Sequence, residues 1–224
     1  MKINISARRQ FAREGRVWVR NAISGTDLMH FDAATNLQSK AGFRVDFTDS
    51  LMNALSDNGS LRRAVASIDP QARPVRVVAF NKSKSTNWGV PWHQDRVISV
   101  AEKHDVKGFK NWTQKAGIWH CEPPQELLNE MLFVRVHLDE TDSSNGAMQI
   151  SLGSHVNGIV PSQNAETCAL QNPIESCDAA RGDVLIMQML TLHASKPSDI
   201  ATQRRVFRID FASFDLPAPL AWAV

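Results

Sequence analysis

The run Gly182-Asp-Val-Leu-Ile-Met-Gln-Met-Leu-Thr-Leu-His193-Ala-Ser195 opens on a turn, carries β-favouring apolar residues and delivers a histidine at its end. A second strand-like run, Arg204 to Phe211, begins eleven positions after that histidine and has an arginine at its head. A guanidinium suits this setting because its planar fork grips a carboxylate through two parallel hydrogen bonds. Ser195 can add a hydroxyl to the same carboxylate. The spacing of these three residues carries the signal, more than any one of them.

Outward from this pair, Asp183 to His193 and Arg204 to Phe211 read as two of six strands. The others are Arg76 to Phe80, a strand within Val90 to Val100, Met131 to Leu138, and Gly146 to Leu152. Turn residues separate them, as in Asp142-Ser-Ser-Asn-Gly146 and Arg181-Gly-Asp183. Short β-rich runs at this spacing predict an antiparallel sandwich or barrel. The N-terminal third is mixed: Val17 to Val19 is a short β-branched run. Ser24, with Asp27 three residues on, predicts a helix starting at about Gly25. A second helical stretch is expected over Ser50 to Ile68, broken near Asn58-Gly59 and ending before Pro70. Between Ile98 and Met131 lies a long connection with Trp112, Trp119 and Pro123-Pro124, read as a functional loop or lid.

Alternation within strands sorts their faces. Phe207, Ile209 and Phe211 alternate with Arg204, Val206, Arg208 and Asp210, and Val134, Val136 and Leu138 alternate with Phe133, Arg135 and His137. One greasy and one polar face is expected if helices cover the outside of a barrel with a polar cavity. The same pattern also fits strands whose polar face meets solvent, with Arg135, His137 and Arg208 outside.

Pro91-Trp-His-Gln-Asp95 supplies the remaining chemistry. Residues two apart on a strand share a side, so His93 and Asp95 can reach one metal. With one further histidine they make the facial triad that leaves open positions on iron(II). A second such pair, His120 and Glu122, precedes Pro123-Pro124, which cannot donate ladder hydrogen bonds, so a central strand is not expected there. His120 and Glu122 are read as lid residues facing substrate. Lys82, Asn81 and Lys115 are further candidates for polar contacts in the site.

Composition narrows the classes. Lys plus Arg exceed Asp plus Glu by only two residues and are dispersed, which gives no basic face for nucleic acid or an anionic membrane. No apolar run is long enough to span a bilayer. The first residues do not read as a secretory signal, so a cytoplasmic protein is expected. Cys121, Cys168 and Cys177 are odd in number and form no Cys-x-x-Cys pair, which fits reduced thiols.

With these motifs in place, the chain resembles the phytanoyl-CoA dioxygenase family of iron(II)- and 2-oxoglutarate-dependent oxygenases. The matching stretches are FAREGRVWVRNAIS (Phe11 to Ser24), PWHQD (Pro91 to Asp95), NGAMQISLGSH (Asn145 to His155), GDVLIMQMLTLHAS (Gly182 to Ser195) and RRVFRIDFAS (Arg204 to Ser213). The resemblance implies a mainly β fold with flanking helices and a double-stranded β-helix (jelly-roll, cupin-like) core. It implies one oxygenase domain over 1–224, with helical support over 1–73, the core over 74–214 and a lid insertion at about 98–130. His93, Asp95 and His193 fall on the family's iron ligands. Arg204 falls on its 2-oxoglutarate arginine, Ser195 on the hydroxyl partner, and Arg135 near the other end of the co-substrate. Iron(II), 2-oxoglutarate and dioxygen are the implied cofactors.

Because Asp95 is retained where halogenating relatives have a small residue, hydroxylation is expected, with succinate and carbon dioxide as co-products. The expected substrate is a small polar, even anionic, metabolite, with Arg208 or Arg135 as the binding group and His137, Trp119 and His120 nearby. Two other readings stand beside this one: a non-catalytic jelly-roll protein that binds metal or ligand, and a cupin-like dioxygenase that does not use 2-oxoglutarate. The sequence gives no oligomeric state.

Overall fold

The computed structural model describes residues 5–35, 42–45, 48–83, 86–200 and 203–223. Its helices are α1 (Ile5–Glu14), α2 (Gly25–Thr35), α3 (Asp49–Ala54), α4 (Ser60–Ala66), α5 (Gln125–Asn129) and α6 (Ala165–Ala169). Its strands are β1 (Arg16–Val19), β2 (Gly42–Arg44), β3 (Arg73–Lys82), β4 (Val90–His93), β5 (Ile98–Val100), β6 (Lys110–Lys115) and β7 (Ile118–Glu122). They continue as β8 (Leu132–His137), β9 (Met148–Ser151), β10 (Ile174–Ser176), β11 (Val184–Gln188), β12 (His193–Ser195) and β13 (Arg204–Ala212). A six-stranded sheet runs β1-β11-β8-β13-β3-β2, and a four-stranded sheet runs β10-β9-β12-β4. All their pairings are antiparallel. Together they form the jelly-roll core expected from the sequence.

Strand parity decides what each face of the larger sheet meets. Val134, Val136, Leu138, Val184, Ile186, Phe207, Ile209 and Phe211 turn to one side and pack against Phe31, Leu51, Leu61 and Val65 of the helices. The rings of Phe31 and Phe207 lie 5.0 Å apart and anchor α2 to β13. Each such fully buried side chain contributes about 1.5–3 kcal/mol through area removed from water. The opposite face carries Phe133, Leu185 and Met187, which pack with Met148 and Ile150 of the smaller sheet. Both faces are therefore covered, and Arg135, His137 and Arg208 are buried; the solvent-facing alternative does not hold.

Ser24 begins α2 as expected, with its hydroxyl accepting from the Asp27 N–H at 3.2 Å. The Ser24 N–H, however, donates to the Ser60 hydroxyl at 3.0 Å, and the Asp27 carboxylate accepts from the Ser60 N–H at 2.8 Å, which ties α2 to α4. Two expected strands prove to be pairs. The run Asp183 to His193 divides into β11 and β12, which belong to different sheets. Between them Met189, Leu190, Thr191 and Leu192 turn a corner while remaining fully buried. The Gly15 carbonyl fastens that corner, accepting from the Gln188 N–H at 2.8 Å and the Thr191 hydroxyl at 3.2 Å. Val90 to Val100 likewise divides into β4 and β5, and Asp95 lies in the loop between them.

The segments flanking the core also differ from expectation. Residues 1–73 are not only helical, since β1 and β2 form the two edges of the larger sheet. The connection at 98–130 is not an open loop; it holds the antiparallel sheet β5-β7-β6 and helix α5. In it β7 is central, contrary to the reading of Pro123-Pro124. Those prolines follow Glu122, the last residue of the ladder, so no ladder donor is lost. Among the described residues no helix is long and apolar enough to cross a membrane.

Candidate metal centre

His93 ends β4 and His193 opens β12, and the two are paired in register across the smaller sheet. Their rings lie 4.2 Å apart. Each ring is oriented the same way: Nδ1 of His93 lies 2.9 Å from the Pro91 carbonyl, and Nδ1 of His193 lies 2.9 Å from the Thr191 carbonyl. A carbonyl only accepts, so Nδ1 carries the proton and Nε2 presents its lone pair. The Asp95 Oδ2 stands 3.1 Å from that Nε2 of His193. Two lone-pair donors this close need a cation or a proton between them. One ligand atom from each of His93, Asp95 and His193 falls within 4.8 Å of the others, so the set can hold a metal ion. Nitrogen and carboxylate donors in this number suit iron(II).

Burial, and then the neighbouring His193, hold the His93 imidazole below its ordinary range, which favours the neutral, ligating form. Burial works the other way on Asp95, but the Arg208 guanidinium and His193 more than offset it. The Asp95 carboxyl stays well below the usual carboxylate range and is ionised.

The cluster opens on a cavity of about 200 Å³. Phe80, Trp88, Val90, Phe133, Met148 and Ala194 give it an apolar wall; Lys82, Arg135, Ser195, Arg204 and Arg208 supply the polar groups. Arg204 is 3% exposed, yet its Nε and Nη1 have no hydrogen-bond partner, and neither has Nε of Arg135. Lys82, paired in register with Arg204, donates to the Lys196 carbonyl at 2.5 Å. Gly146, at φ +76°, allows that approach, because a Cβ there would lie 2.9 Å from Lys82 Nζ. Burial, followed by cationic neighbours, brings the Lys82 ammonium down to about 8 and the Arg204 guanidinium down to about 9. Unpartnered cationic donors in a largely apolar cavity fit an anion with carboxylates at both ends: one for the metal, one for Arg204.

The other residues singled out in the sequence are placed elsewhere. Trp119 meets Trp112 edge-on, 6.5 Å between ring centres, against the core that holds Ile98, Val100 and Phe133, and does not line the cavity. His120 is buried on β7, opposite Ser99, with Nδ1 3.0 Å from the Ile118 carbonyl. Glu122 is taken up by Asn111, Lys110 and Arg96. His137 shares the inward parity of Arg135 but lies beyond the cavity, 5.6 Å from the Trp18 ring, and burial pushes its imidazole down to about 3. Arg208 does line the cavity, but it is committed to Asp95 and Asp210 rather than free for a substrate. Of the remaining cavity residues, the sequence named Lys82 as a candidate polar contact and passed over Phe80, Trp88, Met148 and Ala194. The parity of β3, which places Lys82 beside Arg204, is the signal that could have raised it. All three cysteines are free thiols, as expected.

A jelly roll whose sheets bring two histidines and a carboxylate to one cavity is the architecture of a mononuclear metal site. The chain belongs to the phytanoyl-CoA dioxygenase (PhyH) family, whose profile matches residues 25–206. Among curated proteins it is 30% identical over 101 residues to a probable alpha-ketoglutarate-dependent hypophosphite dioxygenase of Stutzerimonas stutzeri. That match covers 39% of this chain and only about a third, 35%, of the relative. Solved structures share the fold. AviO1 from Streptomyces viridochromogenes Tue57 is 17% identical, with 99% of each chain covered and a TM-score of 0.65. SnoN, a non-heme alpha ketoglutarate dependent epimerase from nogalamycin biosynthesis, is 14% identical over 92% of this chain and 79% of that one, with a TM-score of 0.67. HygX from Streptomyces hygroscopicus, solved with nickel and 2-oxoglutarate bound, is 14% identical over 94% of this chain and 87% of its own, with a TM-score of 0.63.

Proposed function

We propose that the chain is an iron(II)- and 2-oxoglutarate-dependent oxygenase that hydroxylates a small polar metabolite. The observation that carries this reading is the pairing of a metal-competent His93, Asp95 and His193 cluster with the unpartnered, buried Arg204 guanidinium in one cavity. In it, His93, Asp95 and His193 hold iron, and Arg204, with Ser195 and Lys82, binds the far carboxylate of 2-oxoglutarate. Arg135 faces the nearer part of the same molecule.

Iron with 2-oxoglutarate, when bound, supplies the oxidising power drawn from dioxygen, with succinate and carbon dioxide as co-products. The chain's own part is geometric and electrostatic. The Pro91 and Thr191 carbonyls accept from Nδ1 of the two imidazoles and so turn each Nε2 to the metal. The wall of Phe80, Trp88, Val90 and Phe133 excludes water, which strengthens every charge interaction within. Arg204 fixes the co-substrate's direction along the cavity, and a buried carboxylate clamp has no use in an oxygenase that lacks a keto acid. Hydroxylation is preferred because Asp95 occupies the third ligand position. A small substrate is preferred because the cavity holds only about 200 Å³.

An anaerobic titration tests the assignment. Iron(II) and 2-oxoglutarate together are expected to give a weak visible charge-transfer band that neither gives alone. The Arg204→Met protein is expected to need at least about tenfold more 2-oxoglutarate to reach it, from loss of a charge-assisted bidentate pair. A band in Arg204→Met at wild-type 2-oxoglutarate concentrations would remove Arg204 from the site. A screen of small metabolites for faster succinate release then identifies the substrate, and strict preference for an acyl-CoA over its free acid would overturn the small-metabolite reading.

A further inference from the structure

We infer that Arg208 is a positioning residue that holds Asp95 to the metal through a single oxygen and so keeps the neighbouring coordination position free. The inference rests on the metal reading of His93, Asp95 and His193. Its ground is where Asp95 sits. The residue is not on a strand but in the loop between β4 and β5, so no ladder fixes its side chain. A carboxylate left to turn about its own axis can offer both oxygens to a divalent cation and occupy two of its positions. Iron in this chemistry has three positions to spare, two for a keto acid and one for dioxygen, so a chelating carboxylate would stop the reaction.

Arg208 removes that freedom. Its Nη1 lies 2.6 Å from Asp95 Oδ1, while Asp95 Oδ2 is the oxygen that faces His193 Nε2. The guanidinium cannot follow a turning carboxylate, because Nε and Nη2 are fixed on Asp210 Oδ1 and Oδ2 at 2.8 and 3.1 Å. One of its faces is covered by the Phe133 ring, 4.6 Å from the ring centre. Asp210 is 1% exposed and is held in turn by Arg76 Nη1 at 3.5 Å. The same Arg76 atom donates to the Val97 carbonyl at 3.1 Å, two residues beyond Asp95. On the other side, the Gln94 amide donates to the Gly158 and Leu190 carbonyls at 2.7 Å each and accepts from the Val160 N–H at 2.8 Å. The loop is thus fastened on both sides of Asp95, and Arg208 orients the one side chain in it that reaches the metal.

The test uses cobalt(II), a redox-silent probe whose visible spectrum reports coordination. Arg208→Met is expected to weaken cobalt binding about 10–100-fold, the usual cost of losing a partner that orients a ligand. It is also expected to change the cobalt spectrum and to weaken 2-oxoglutarate binding to the cobalt-loaded protein. Arg208→Lys should not restore either property, since an ammonium cannot hold two carboxylates in a fixed plane. Asp210→Asn, which touches no ligand, should move both in the same direction by less. Should Arg208→Met leave Asp210 too poorly matched to fold, the pair Arg208→Met with Asp210→Asn is read in its place. A wild-type cobalt affinity with an unchanged spectrum in that protein would overturn the inference while leaving the metal centre standing. Failure of the unmodified protein to bind cobalt would overturn both.

Discussion

Lys82 shows how much of the site depends on single charges held out of water. Its ammonium is buried, meets one carbonyl, and is brought down to about 8 by burial and by Arg204 and Arg135. It is charged below pH 8 and loses its charge as pH rises through that value, so 2-oxoglutarate affinity is expected to fall over the same interval. Lys82→Met should bind 2-oxoglutarate more weakly at pH 7 and flatten the profile between pH 7 and about 9. A Lys82→Met profile that overlays the wild type would remove the residue from the carboxylate clamp. His137 gives a stability counterpart. Its folded-state value near 3 lies below the ordinary 6.5, so its contribution is complete above pH 6.5 and is lost as pH falls towards 3. The wild type should lose up to about 1.4 kcal/mol per pH unit more than His137→Gln in that window, measured by urea unfolding. At this scale the convergence of His93, Asp95 and His193 was legible from the order of the motifs that carry them. The Arg208–Asp210 pair was not, because parity said that both point inward but not which charges they meet there.

Among the elements, the strands with clear alternation were read correctly and the corners were not. In β8 and β13 the greasy positions meet the helices, and Arg135, Arg204 and Arg208 of the polar set meet the cavity, so period two was enough to sort the faces. Between β11 and β12 the apolar run continues unbroken through a buried turn, so composition could not show where one sheet ends and the next begins. The short edge strands β2 and β10, three residues each, are fixed by their partners rather than by their own sequence. Helix α1 went unnoticed because among its ten residues only Phe11 is buried, leaving almost no apolar stripe to detect. The seam between helices and sheet is expected to be the mechanical centre: Phe207→Ala should lower unfolding free energy by about 3–5 kcal/mol in denaturant titration. Gly146→Ala should disturb the site from a turn. A Cβ there would meet the Lys196 carbonyl at 2.8 Å as well as Lys82, and the backbone sits at φ +76°. Weaker 2-oxoglutarate binding in that variant is the expected result, and unchanged binding would show that Lys82 tolerates displacement.

For the molecule as a whole, the jelly roll places one metal-competent cluster between its sheets and lines the way to it with excess positive charge. Metal and 2-oxoglutarate bind the folded state only, so each should stabilise it. At a hundred times the dissociation constant the gain is about 2.7 kcal/mol, or about 5–10 °C in Tm for a chain of this size. Calorimetry with nickel(II) and 2-oxoglutarate should show this rise, and a chelator should reverse it. Fold class and the site's position were readable in the sequence from the order of motifs. The sheet at 98–130 was not, because β6 is exposed along most of its length and β7 buries the consecutive residues His120, Cys121 and Glu122, so neither strand alternates.

The central claim is that this cavity couples iron to 2-oxoglutarate. The measurement that meets it head-on is succinate formation by the purified, iron-loaded protein, compared with Asp95→Ala and His193→Ala proteins under air. Iron-dependent succinate from the unmodified protein, reduced at least about a hundredfold in both variants, is the expected result. No succinate despite bound iron, or undiminished succinate from Asp95→Ala, would contradict it.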